Sequence, residues 1–261
     1  MRKIFEAVTF LIIGVGIFAL IYYSGILLTT KGLNTLAEAY LNFIPNVSNQ
    51  YTSWSYEVVT SVIWDHRGFD TYFETSVLFL AIVAAVGLLE GVRKYLDIEG
   101  TTIITKLVSK LLAPVIVVIS VSIALHGHIS PGGGFQGGAL FVIAPLLLML
   151  AFNASKISEK GFEQNKLILM RALAVTFIAV VGLTPLIYSL VSGANAYLFQ
   201  NIRKPDSTFS YSPILEVGNI RVLLSGNLII FNLLEYVAVL TGFTVALFLL
   251  TIEFEGGGEN D

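Results

Sequence analysis

The stretch His126-Gly-His128-Ile-Ser-Pro131-Gly132-Gly133-Gly134-Phe135-Gln-Gly137-Gly138 decides the fold. Six glycines, one proline and two histidines fall within these thirteen residues, and apolar runs flank them on both sides. Irregular backbone beside hydrocarbon cannot lie open to lipid, because its N–H and C=O groups have no partner there. It must be buried in protein or line a wet cavity. The segment therefore predicts a tight hairpin packed inside a membrane assembly. Its glycines read as positions of positive φ and close backbone approach, and Phe135 as a ring packed into the bundle.

The rest of the composition points the same way. The chain has 261 residues, 55% hydrophobic and 13% charged, with a mean hydropathy of +0.80. A soluble domain carries about 25% charged residues, so there is too little polar surface here to coat a soluble globule. The net charge of −3, with no basic tract, excludes a nucleic-acid partner. With no cysteine there is no thiolate zinc site, haem attachment or iron–sulfur ligation. Met1-Arg-Lys leads into a long apolar run with no small-residue cleavage site, which predicts a retained membrane helix.

Six apolar runs cover about 4–28, 71–92, 107–125, 137–152, 167–191 and 229–252. A spanning helix needs roughly 20 apolar residues. The fourth run is short unless it starts inside the glycine hairpin. Pro114, Pro145 and Pro185 lie within runs and predict kinks. The expectation is an all-α integral membrane protein with six transmembrane helices, two plus four, and no soluble domain. With the amino terminus inside, ten basic residues fall on inside segments and five on outside ones. That asymmetry predicts a multi-pass cell-membrane protein with both termini cytoplasmic and the glycine hairpin outside. A charged break at 94–102 separates a module at 1–97 from a module at 98–261.

Several side chains invite chemistry. Asp70 and Glu74 are four apart and share a helix face, where they suit Na⁺ binding or proton passage, or else capping of a helix start. Glu235 lies inside the last run, where an ionised carboxylate is costly unless paired, hydrated or protonated. It reads as an ion-route residue or as a buried packing group. His126 and His128 suit a proton relay or closure of the turn, and two imidazoles are too few for a closed metal site. Glu90 reads as an ion-pair partner of Arg93 and Lys94. Arg171 and Lys166 read as snorkelling anchors, which leaves no basic side chain at the depth of Glu235.

Two motifs resemble a known family. His126 to Gly138 resembles the glycine-rich signature of the B subunit of Mrp-type cation/proton antiporters, the MnhB/MrpB-like proteins. Leu234-Glu235-Tyr-Val-Ala-Val-Leu-Thr-Gly242 is similar to that subunit's closing helix. Asp65-His-Arg-Gly-Phe-Asp70-Thr-Tyr-Phe-Glu74 resembles the carboxy-terminal module of the large A subunit, departing from it at Phe73, where that family has glycine. The resemblance implies a fusion of the two modules, as in archaeal respiratory complexes of the membrane-bound hydrogenase and sulfur-reducing type. It implies a non-catalytic subunit that helps move Na⁺ or H⁺ and binds no cofactor or metal of its own. Its partners would be A-, C-, D-, E-, F- and G-like membrane subunits, the lipid bilayer and a hydrogenase-like redox arm. A stand-alone Mrp antiporter subunit and a purely structural assembly subunit are the alternatives. An independent transporter is disfavoured, because the runs show no repeated pair of broken helices.

Overall fold

The computed structural model describes residues 2–25, 32–89, 101–159 and 163–251. The chain divides into two compact units, Met1–Tyr40 and Leu41–Asp261. In the first, α1 (Arg2–Tyr23) contains the apolar stretch Val8–Tyr23. α2 (Thr35–Phe43) begins where Asn34 Oδ1 accepts from the Leu36 N–H at 3.0 Å, a side-chain cap on a free helix donor.

The second unit opens with α3 (Val58–Ser61), which runs into a π-helical turn at Val62–His66 and then α4 (Gly68–Leu88). α5 (Ile103–His126) starts at Thr102, whose hydroxyl accepts from Thr105 N at 3.2 Å. After the glycine hairpin come α6 (Gly134–Phe141), α7 (Ile143–Phe152) and the short α8 (Ala154–Glu159). α9 (Gln164–Ser192) ends at Gly193, left-handed at φ 69°, whose N–H satisfies the Ser189 carbonyl. α10 (Leu228–Leu250) closes the unit.

Among the described residues, five segments are long and apolar enough to cross a bilayer: α4, α5, α6 with α7, α9 and α10. Val8–Tyr23 is a shorter apolar helix. The fourth segment begins at Gly134, inside the glycine hairpin, which is what gives it a spanning length. It breaks at Val142, because Pro145 has no N–H to return to the Phe141 carbonyl. One element departs from an all-helical chain. β1 (Ile214–Val217) and β2 (Ile220–Leu223) pair antiparallel around Gly218, whose φ of 61° supplies the two-residue turn. The break at 94–102 and Glu90 fall largely or wholly outside the described residues.

α10 is the axial helix. Of its span 56% is buried within the chain, against 17% for α4 and 22% for α5, so the outer helices turn most of their surface to lipid or to other proteins. α6 lies between α5 and α10 on a face made of glycine. A Cβ at Gly137 would stand 2.7 Å from the Ser120 carbonyl oxygen of α5. One at Gly138 would stand 2.7 Å from Val239 Cβ and 2.9 Å from the Tyr236 carbonyl oxygen of α10. These separations bring backbone against backbone, as small residues allow in membranes. Gly132 and Gly133, at φ 139° and 149°, make the turn that precedes this face. Gly87 faces nothing within 4 Å among the described residues.

The Phe135 ring is packed into the bundle in part: it is 43% exposed, and its edge meets Phe243 of α10 at 5.9 Å and 90°. The glycine face of α6 is already filled by α5 and α10, and a residue one position from Gly134 points about 100° away from it.

Replacing Gly138 by valine is expected to force α6 off α10 and destabilise the fold by about 1–3 kcal/mol. The measurement is the thermal midpoint of the detergent-extracted protein, with Gly138→Ala giving a smaller loss. An unchanged midpoint in both would show that the contact carries no stability.

Candidate functional site

Glu235 lies two turns into α10 and is 5% exposed. Its side chain is fixed by the neighbouring glycine. A Cβ on Gly134 would stand 2.7 Å from Glu235 Cβ and 2.8 Å from Glu235 Oε2. The carboxyl is flanked by the Phe135 backbone N–H and the Trp64 indole N–H, and the Glu74 carboxylate of α4 is close enough to interact with it electrostatically. The Trp64 Nε1–H faces the carboxyl outside good hydrogen-bond geometry, and among the described residues Glu235 Oε2 has no partner in such geometry. Asn232, one turn earlier, is wholly buried and among the described residues has no partner at Oδ1 or Nδ2. A buried polar atom without a partner loses its hydration for nothing, so this cluster has unmet demand for a polar ligand.

Of the carboxylates expected at an ion route, the structure brings two together. Glu74 is exposed on α4 within electrostatic reach of Glu235. Asp70 is on the surface, with Oδ2 2.8 Å from Arg67 Nη2 and 2.9 Å from Arg67 Nε. The two histidines separate. His126 is exposed and folds its Nδ1 back onto the Ser122 carbonyl at 2.8 Å. His128 is buried and donates Nε2–H to the Leu223 carbonyl at 2.9 Å, while its own carbonyl accepts from Ser55 Oγ at 2.7 Å. Burial lowers the His128 pKa from its ordinary value, the Leu223 bond opposes that, and the nearby His126 adds to it. His128 thus ties the glycine hairpin to β2 and to the loop before α3.

Arg171 overturns its reading as a snorkelling anchor. It is 1% exposed and donates from Nη1 to the Ala238 carbonyl at 2.5 Å. Its Cζ stands 6.0 Å from the Phe79 ring, and among the described residues Nε and Nη2 have no partner. The reason is room. Gly242 on α10 has no side chain, and the guanidinium occupies that place. A fixed cation therefore lies at the level of Ala238 to Gly242, one to two turns along α10 from Glu235. The expectation that no basic side chain reaches comparable depth is wrong. Lys166 does stay on the surface, 2.8 Å from Glu163.

A second buried charge, Asp65, is a hub that no local sequence pattern singles out, although it lies within the motif that leads into α4. Its side chain is 0% exposed. Oδ2 accepts from Ser53 Oγ at 2.5 Å and pairs with Lys204 Nζ at 2.6 Å, and Oδ1 accepts from Asn201 N at 3.0 Å. Asn201 Oδ1 in turn accepts from Asn227 N at 2.7 Å, just before α10. Beside the hub, Trp64 stacks on Phe231 at 4.7 Å and 11°, and Phe231 stacks on Phe199. The loops at this end are thereby knitted into one lid over the start of α10.

The fold and this site define a polytopic helical membrane protein with a buried carboxylate set against a glycine hairpin. Residues 104–245 match the family described as "Domain related to MnhB subunit of Na+/H+ antiporter". The chain belongs to this MnhB-related family. An uncharacterized protein of Methanocaldococcus jannaschii is 26% identical over 97% of this chain and 93% of its own length. A Staphylococcus aureus protein described as an antiporter subunit, mnhB2, is 30% identical over 30% of this chain and 57% of its own length. A solved chain of the archaeal membrane-bound sulfane sulfur reductase has the same fold, with a TM-score of 0.67 at 23% identity, over 97% of this chain and all of that one. A chain of the Mrp complex from Dietzia sp. DQ12-45-1b aligns with a TM-score of 0.66 at 18% identity, over 98% of this chain but 26% of that one.

Asp65→Asn is expected to strand the Lys204 ammonium and to destabilise the folded protein by about 3–5 kcal/mol. Asp65→Asn combined with Lys204→Met should recover much of that loss in thermal melts. A double variant that loses the sum of the two single-variant losses would mean that the pair has no mutual dependence.

Proposed function

We propose that the chain is a non-catalytic membrane subunit of an Mrp-like cation/proton antiporter module and contributes Glu235 and Glu74 to the path of Na⁺ or H⁺. The observation that carries this is the buried, incompletely bonded Glu235 within reach of the exposed Glu74. Ionisable groups at such depth mark ion or proton routes. An exposed carboxylate on α4 offers a place where the path passes to a neighbouring subunit. Asp70, His126 and His128 stand outside this pair, and their bonds suit surface anchoring and turn closure.

The setting is a respiratory membrane complex of the sulfur-reducing or hydrogenase type. In support, this chain and the sulfane sulfur reductase chain match over 97% of this one and all of that one. A chain composed of an A-like module at 1–97 and a B-like module at 98–261 agrees with the alignment of nearly the whole of it inside one longer chain of an Mrp complex. Other small membrane subunits of that kind cover the exposed apolar faces of α4 and α5. A purely structural role has its own support in the static pairs Asp65–Lys204 and Asp70–Arg67.

Glu235→Gln and Glu74→Gln are each expected to lower Na⁺- or H⁺-linked transport at least about tenfold in proteoliposomes of the complex, with subunit composition unchanged. Full transport in both variants sinks the route and leaves the structural role. The topology that goes with this reading has six spans and both ends cytoplasmic. A cysteine placed at Ser130, in a chain with no cysteine of its own, should react with an impermeant thiol reagent from outside intact cells. Reaction from the cytoplasmic side alone would invert the topology.

A further inference from the structure

The interior changes character within one turn of Glu235. Ala238, three residues further on and about 4.5 Å along the axis of α10, turns its carbonyl to Arg171 of α9. Arg171 Nη1 donates to that oxygen at 2.5 Å, and the Thr241 hydroxyl donates to the same oxygen at 3.2 Å. The Arg171 Cζ stands 6.0 Å from the Phe79 ring of α4, so the guanidinium lies where α4, α9 and α10 meet. The buried side chains at this level are apolar: Ala174, Val175 and Ala238, with Phe79 and Val237 packed against them. Further from Glu235, Ile82, Met149, Leu167, Val245 and Phe248 close into a second buried apolar cluster.

The charge of Arg171 is not answered at this junction. The residue is 1% exposed, and among the described residues its Nε and Nη2 have no partner and no carboxylate pairs with it. An arginine keeps its proton in such a setting, so a full positive charge is retained. A carbonyl dipole and a ring face hold that charge without cancelling it. A structural ion pair would bring a carboxylate, and an anchor would reach the interface. Arg171 does neither. It is a fixed cation set between the polar cluster at Glu235 and the apolar cluster beyond. A cation that moved this way from Glu235 would meet a like charge in a low-dielectric interior and then a dry plug, and each is a barrier to it.

We propose that Arg171 is an electrostatic barrier that closes the junction of α4, α9 and α10 to cations, so that no ion path runs through this chain past Glu235. This rests on the ion-route reading and states where, within the chain, that route ends. The Ala238 carbonyl and the Phe79 ring are positioning groups that hold the guanidinium across the junction.

The test measures passive Na⁺, H⁺ and Cl⁻ entry into proteoliposomes of the intact complex under imposed membrane potentials, beside coupled transport. Arg171→Met keeps a long stem and removes the charge, whereas Arg171→Lys keeps the charge. Arg171→Met is expected to raise passive cation entry at least about tenfold with chloride entry unchanged, and Arg171→Lys to keep the wild-type leak. Arg171→Gln, neutral but still able to donate to Ala238, carries the same expectation as Arg171→Met and covers its failure to assemble. The choice of ions separates a lost barrier from a loosened fold, since loose packing admits anions and cations alike. A wild-type cation leak in an assembled neutral variant, or a leak that admits chloride as readily as Na⁺, overturns the barrier. If Glu235→Gln abolishes coupled transport while the neutral Arg171 variants stay tight, the barrier fails and the route stands. If Glu235→Gln transports normally while Arg171→Met admits cations selectively, the route fails and the barrier stands.

Discussion

Everything at the hairpin end of this protein depends on how closely α6 can approach α10. At Gly134 and Gly138 the separation leaves no space for a side chain, so the backbone of α6 lies against Asn232, Glu235, Tyr236 and Val239. That approach fixes the axial helix, aims Glu235 at the start of α6 and leaves Asn232 facing the turn. Dispersion and backbone fit carry such a contact in lipid, where there is little hydrophobic force to press two apolar helices together. The polar groups are therefore positioned by a purely steric device.

Two kinds of buried charge result, and they differ in how fully they are answered. Asp65 has three donors, one of them a lysine, and ties the loops at the hairpin end to the start of α10. Its job is complete within the chain. Glu235 has an oxygen without a partner and another carboxylate nearby. A saturated network rigidifies, whereas an unsaturated one has capacity for something that comes and goes. The first holds the architecture still around the second.

Much of this was legible in the residues. The glycine run announced buried irregular backbone, the long apolar runs announced spans, and Glu235 stood out because a carboxylate in hydrocarbon demands a reason. Positive φ at Gly132 and Gly133 and close approach at Gly137 and Gly138 follow the same logic. What was not legible was mutual position. Phe135 is only in part the core ring that its setting announced, because its orientation is set by which face of α6 the glycines occupy. Asp65 and Lys204 are 139 residues apart, and no local pattern joins them. Arg171 looked like an end-of-helix anchor because the gap at Gly242 that receives it belongs to another helix.

The Arg171 contact has a consequence for biogenesis. Its carbonyl acceptor, Ala238, lies 67 residues further along the chain. At about 5–20 residues per second, synthesis delivers that partner only seconds after α9 has left the ribosome. During the interval a helix carrying an arginine two turns from its start must rest in the bilayer, at an insertion cost of about 2.5–3.5 kcal/mol at mid-span and less near an end. The long flexible stem can bend to the nearer aqueous face in the meantime. Snorkelling is then the state of α9 while it waits, and the buried guanidinium is its state once α10 arrives. Docking of the last helix withdraws the charge from the interface, so completion of the bundle and burial of the arginine are one event.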